Sequence, residues 1–243
     1  MKPILILKTG ELPRQVTENL GPYETAFLHV LGPERCVVVD ARKEEMPGLD
    51  WAGVVVTGSP ASTYDGDAWI AKSEAFLQRV ADQHIPLYGV CFGHQLLAQT
   101  FGGRVEKCPH GWELGTVTIT QTEHGKANSL FADVPKHFVA QMSHGDVVTE
   151  LPPGAMALAQ NDHWEYQAFL LGERIWGTQF HPEFTPQVLS DLIHALLTVL
   201  SPEAFPRRPE TGSIREWLLA TITEAPAARR CLENFARIAQ AEG

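Results

Sequence analysis

Apolar residues run in short unbroken blocks through the first ninety positions, at 4–7, 36–39, 53–56 and 85–90. Continuous blocks of this kind are the texture of strands in a parallel sheet covered by helices on both faces. Between them the spacing turns helical. Pro22 suits a helix start, with Tyr23, Phe27, Val30 and Leu31 on one face. Trp69, Ile70, Ser73, Phe76, Leu77 and Val80 share a face within 67–81, and the segment around Pro13 reads as a loop. A further helix begins at His94, carries Leu96, Leu97 and Phe101, and stops at Gly102-Gly103.

Past residue 104 the pattern changes. Val105 and the stretches 114–120, 138–142, 155–160, 167–171 and 175–180 are short, β-branched or alternating, and broken by Gly, Pro, Asn and Asp. They read as hairpins and antiparallel additions. Helical spacing returns at 186–200 through Val188, Leu192, Leu196 and Val199. Four breakers (Pro202, Pro206, Pro209, Gly212) then mark a connector. Two helices follow. In the first, Ser213 and Glu216 form a capping box ahead of Ile214, Trp217, Leu218 and Ile222; the second, 226–241, carries Leu232, Phe235, Ile238 and Ala239. The expected architecture is α/β, a doubly wound mixed sheet with antiparallel additions over residues 1–200. Residues 201–243 are a helical extension packed on that core or at a subunit interface, as in a homodimer.

Composition narrows the function without choosing it. The 243 residues are 44% apolar and 20% charged, with a net charge of −10. That balance fits a soluble globular chain and argues against nucleic acid as a partner. The most apolar stretch near the C-terminal end is interrupted by Ser190, Asp191 and His194, so no membrane span is expected. The opening residues lack the features of a secretory signal. Cys36, Cys91, Cys108 and Cys231 are widely spaced, which indicates neither a disulfide framework nor a zinc site and suits a reducing cytoplasm.

The chemistry concentrates at residues 87–97. An apolar strand runs into Gly89-Val90-Cys91-Phe92-Gly93, and a helix starts at once. A strand turning sharply into a helix strains its corner residue, and glycines two before and two after allow the backbones to approach. Cys91 is thereby the candidate nucleophile, beside a helix N-terminus whose partial positive charge favours a thiolate. Downstream, the strand 175–180 delivers His181-Pro182-Glu183. Proline keeps the preceding residue extended, and in extended chain residues two apart point the same way. His181 and Glu183 can therefore pair as base and orienter. Val54-Val55-Val56-Thr57-Gly58-Ser59-Pro60 ends a third strand in a turn, where the N–H of Gly58 or Ser59 can join that of Phe92 in holding an oxyanion. In an open α/β sheet these strand ends share one edge.

GVCFGHQ, QFHPEF and VVTGSP together resemble a class I, triad-type glutamine amidotransferase over roughly residues 1–200. Trp112-Glu113-Leu114-Gly115 and Met142-Ser143-His144-Gly145-Asp146 are similar to the amidotransferase portion of GMP synthases. The resemblance implies a flavodoxin-like fold and hydrolysis of the glutamine side-chain amide without cofactor or metal. Cys91 attacks, His181 protonates the leaving ammonia and Glu183 orients His181. Gly58 and Phe92 form the oxyanion hole, while Ser59, Gln95, Ser143 and His144 bind the substrate. His94 is expected to be structural. Nothing matches the S-G-G-x-D-S loop of an ATP pyrophosphatase domain, so the acceptor of the ammonia is not written in the chain, and a separate synthetase subunit is one candidate partner. A γ-glutamyl peptidase and a catalytically silent regulatory relative are the alternatives.

Overall fold

The computed structural model describes residues 2–242. In chain order the elements are β1 (Ile4–Lys8), α1 (Arg14–Leu20), α2 (Glu24–Leu31), β2 (Cys36–Asp40), β3 (Gly53–Val56), α3 (Ala68–Asp82), β4 (Leu87–Val90) and α4 (Phe92–Thr100). There follow β5 (Arg104–Lys107), β6 (Glu113–Gln121), α5 (Glu123–Lys126), β7 (His137–His144), β8 (Asp146–Glu150), β9 (Ala155–Gln160), β10 (Ala168–Leu171) and β11 (Ile175–Thr178). Three helices close the chain: α6 (Pro186–Leu196), α7 (Ile214–Ala220) and α8 (Pro226–Glu242).

Nine strands form one sheet in the order β2-β1-β3-β4-β11-β10-β9-β6-β7. The first five are parallel and the last four are joined antiparallel. This is the mixed sheet expected from the sequence. The last strand, β11, inserts beside β4 with Thr178 opposite Val90. Two strand ends far apart in sequence thus leave the sheet side by side.

Alternation along each strand divides the core. Ile4, Ile6 and Val55 point to a cluster that includes Phe27 of α2 and Leu232, Phe235 and Ala239 of α8. Leu5, Leu7, Val54 and Val56 point the other way, onto Ile70, Phe76 and Leu77 of α3 and Leu96 and Leu97 of α4. Leu218 of α7 packs with Leu114, Leu189 and Phe205 in a smaller cluster. Ser213 caps α7, its hydroxyl accepting from the Glu216 N–H.

Several boundaries differ from the sequence reading. The segment after Pro13 is the helix α1, anchored by one buried side chain, Val16, and so without a readable apolar stripe. The 146–150 stretch, read as part of no strand, is β8, which pairs with β5 in a separate two-stranded ribbon. Helix α4 starts at Phe92, directly after Cys91, and α6 ends at Leu196 instead of continuing to 200.

Candidate active site

Cys91 has φ 52° and ψ −104°, in the left-handed half of conformational space that a side-chain-bearing residue rarely occupies. The neighbours explain how the corner survives. A Cβ added at Gly89 would collide with the Gly93 backbone, and one at Gly93 with the Val56 carbonyl. Strand β4, helix α4 and strand β3 are closer here than any side chain permits. The corner is held from both sides, because Cys91 N–H donates to Thr178 O at 2.9 Å and Gln95 N–H to Cys91 O at 3.1 Å. Phe92 occupies the first helical position, so its N–H has no acceptor within the helix. The Cys91 side chain is buried, with Sγ 3.7 Å from the Ser143 carbonyl.

His181 lies beyond the end of β11, where its backbone bridges Gln141 of β7 (N–H to O 2.9 Å). Its Nδ1 is 2.7 Å from Glu183 Oε1, and its ring stacks on Phe184 with centroids 4.0 Å apart. Both members of the pair are buried. Nε2 has no hydrogen-bond partner among the described residues. Burial disfavours charge on the ring, but the Glu183 carboxylate and then Cys91 outweigh it and raise the pKa of His181 well above its usual 6.5.

Tyr23 completes this group. It was read from the sequence as one member of an apolar helix face, yet it precedes α2 and its hydroxyl donates to Glu183 Oε1 at 2.8 Å. The same hydroxyl packs on Gly58, where an added Cβ would stand 2.7 Å from it and 3.2 Å from His181 Cε1. Burial, then the Glu183 charge, pushes the phenol pKa well above its ordinary value, so it stays a donor.

A polar cavity of about 420 Å³ opens at Cys91, lined by Ser59, Gln95, Ser143, His144 and Asp146 among others. All four sequence-derived substrate-binding candidates therefore face the cavity that holds the thiol. Gln95 Nε2 donates to Asp146 O at 2.9 Å and to Gln179 Oε1 at 3.1 Å. The Asp146 carboxylate accepts from Ser62 (2.5 Å) and Tyr64 (2.9 Å), which ties the loop after β3 across the cavity mouth.

The His144 ring stands between two acceptors: Nδ1 at 3.0 Å from Asp146 O and Nε2 at 2.9 Å from Glu113 Oε2. Both nitrogens are thus already in use, and the ring offers the cavity a fixed wall, not a free nitrogen. Glu113 also accepts from Asn161 Nδ2 (2.6 Å) and Gln167 Nε2 (3.0 Å). Its pKa is lowered although burial alone would raise it, because the bond from His144 prevails. No local pattern marks Asn161 or Gln167 as members of this network. Only the fold brings them to Glu113.

His94 lines neither cavity that opens at Cys91. It is fully buried with its ring 5.0 Å from that of Phe169, and burial lowers its pKa to about 3, so it is neutral.

The sequence model of the class-I glutamine amidotransferases matches residues 28–195. The chain is 31% identical over 192 residues to Gamma-glutamyl peptidase 5 of Arabidopsis thaliana, covering 76% of each chain. It is 36% identical over 155 residues to the GMP synthase of Thermosipho africanus, and spans 28% of that much longer protein. In fold it matches a glutamine amidotransferase from Thermotoga maritima with a TM-score of 0.76 at 20% identity, over 99% of both chains. A glutamine amido transferase from Methylobacillus flagellatus matches with a TM-score of 0.75 at 23% identity, over 100% of this chain and 96% of that one. Among the described residues no helix is long and apolar enough to cross a membrane. The family match covers the strand that carries Cys91, the cavity that opens at it and the strand that leads to His181. The chain belongs to the class-I glutamine amidotransferase family and is a cysteine-dependent amide hydrolase.

Proposed function

We propose that the chain hydrolyses the side-chain amide of glutamine or of an N-substituted γ-glutamyl compound, with Cys91, His181 and Glu183 as nucleophile, acid–base and orienter. The observation that carries this reading is a strained cysteine corner beside a buried imidazole with a spare nitrogen, at the mouth of a polar cavity.

In this reading the γ-glutamyl head lies in the polar cavity among Ser59, Gln95, Ser143 and His144. The Cys91 sulfur adds to the amide carbon with its proton already carried by His181, which Glu183 holds. The N–H groups of Phe92 and of the Gly58–Ser59 turn receive the oxyanion. Collapse breaks the C–N bond; the nitrogen leaves with the proton from His181 Nε2, and a γ-glutamyl thioester remains on Cys91. Water, deprotonated by His181, then releases glutamate and restores the thiol.

Two relatives pull the substrate in different directions. The coverage of 76% in both directions with the γ-glutamyl peptidase favours an enzyme that acts by itself. The GMP synthase relative, 28% of which is matched, instead favours passing the ammonia to a synthetase unit. Residues 1–200 would then be the amidotransferase unit and residues 201–243 an extension packed on it.

The test is release of glutamate from glutamine and from γ-glutamyl amides, together with trapping by a γ-glutamyl electrophile. The wild-type chain should form the adduct on Cys91, and Cys91→Ala should lose both adduct and turnover. Wild-type rates from folded Cys91→Ala would overturn the assignment. A folded wild-type chain that neither turns over these amides nor forms the adduct would instead favour a catalytically silent relative.

A further inference from the structure

A second cavity, of about 270 Å³, opens from Cys91 on the side of His181. Its character is the opposite of the first. Leu12 stands on one wall, Leu192, Leu196 and Leu200 of the α6 region on the other, and Phe184 and Tyr23 connect them to the triad. Phe184 is the ring stacked face to face on His181, so the apolar surface begins at the proton donor itself. The two cavities share Ser59, Pro60, Cys91, Trp112 and Ser143, so both open at the thiol.

This inference rests on the γ-glutamyl amide reading above. An amide spanning the thiol puts its acyl part on one side and its nitrogen on the other. The polar cavity suits the zwitterionic γ-glutamyl head. His181, which must protonate the nitrogen, faces the apolar cavity. If the substrate were glutamine, the group on that side would be ammonia. A molecule of about water's size needs only about 10–15 Å³ of such space. The available volume is far larger, and beyond Glu11 and the polar groups next to the thiol its lining is apolar. We infer that the apolar cavity is a leaving-group subsite and that the preferred substrates are γ-glutamyl amides of amines carrying an aliphatic or aromatic group. The reaction is γ-glutamyl–NHR plus water giving glutamate plus RNH2; His181 supplies the proton that the departing nitrogen carries away.

The test is a series of γ-glutamyl amides in which the leaving amines have similar basicity: ethylamide, butylamide and hexylamide, alongside glutamine. Wild-type kcat/KM should rise about fourfold for each methylene buried, until the cavity is full. Leu196 is half-buried in the apolar wall and packs against two core clusters, so its variants are compared as folded protein, by the ratio of two substrates measured on the same preparation. Leu196→Ser should flatten the butylamide-to-ethylamide ratio, and Leu196→Trp, which fills the space, should invert it. Equal kcat/KM along the wild-type series, or glutamine faster than every alkylamide, overturns the subsite while leaving the hydrolase reading intact. The second of these results would assign the apolar wall to a partner subunit. A folded enzyme that cleaves none of the compounds overturns both readings together.

Discussion

Two buried histidine–glutamate pairs flank Cys91, and they differ in how completely their hydrogen bonds are used. His181 and Glu183 meet at 2.7 Å; His144 and Glu113 meet at 2.9 Å. In the second pair every polar atom is engaged: His144 through both nitrogens, Glu113 through both oxygens to His144, Asn161 and Gln167. In the first, His181 Nε2 and Glu183 Oε2 have no partner among the described residues. A saturated pair is a fixed scaffold, because moving its proton would cost two or three bonds at once. An unsaturated pair keeps an imidazole nitrogen available to hold a proton and, in the proposed mechanism, to pass it on. Identical residue types therefore make scaffold on one side of the thiol and chemistry on the other.

The sharpest way to break this comparison is His181→Asn, which removes the only imidazole with a free nitrogen beside Cys91. Turnover of γ-glutamyl substrates should fall roughly 10⁴–10⁶-fold, measured as glutamate release by folded protein. Glu183→Gln should cost about 10²–10⁴-fold in kcat. It also tests the pH sign. Glu183 and Cys91 raise the pKa of His181 above 6.5, so the imidazolium persists through neutral pH and is lost only as pH rises through the raised value. The alkaline limb of kcat should lie well above 6.5 in wild type and move to lower pH in Glu183→Gln. An unmoved limb would separate Glu183 from the base.

Glu113→Gln should show the contrasting phenotype. It turns one acceptor oxygen into a donor facing His144, Asn161 or Gln167, a loss of about 1–3 kcal/mol of folding stability. Urea unfolding should report it, while kcat in the surviving folded protein changes far less than in Glu183→Gln. Equal kinetic losses in the two variants would erase the distinction. The smallest effect belongs to Tyr23→Phe, which deletes one donor to Glu183 Oε1 and fills the same space. A hydrogen bond to a charged group of about 1.5–3 kcal/mol sets the upper bound, so kcat/KM should fall about tenfold. No change would reduce the phenol to packing.

How much of this was readable depended on how local each cause is. The elbow was legible because Gly89 and Gly93 are demanded by backbone approach within five residues of one another. His181-Pro182-Glu183 was legible because proline fixes the backbone that lets the two side chains meet. The expected parallel strands and antiparallel additions formed, since a continuous apolar block and an alternating one read differently. Helix α1 buries a single side chain and left no stripe to read. Strand β8 hides its pairing because Val147 and Val148 are adjacent and both buried, which breaks the alternation of a strand with one wet face. Tyr23 reaches a residue 160 positions away, and its hydroxyl looks in sequence like any ring on an apolar face. The network around Glu113 draws on 144, 161 and 167, loop and strand positions that converge only after the sheet is assembled.

The bridge between His181 and Gln141 connects the base to an unexpected part of the chain. Gln141 donates from Nε2 to Thr223 O at 2.9 Å and accepts at Oε1 from Thr116 (2.6 Å), whose hydroxyl in turn accepts from the Thr223 N–H at 3.2 Å. Trp112, shared by both cavities, donates its backbone N–H to Ala204 O at 2.8 Å. Composition draws a border near residue 200, but the forces cross it. The last forty residues share a lever with the catalytic histidine, so exchanging them for another tail would retune the site from behind, with no cavity-lining side chain from 1–200 altered.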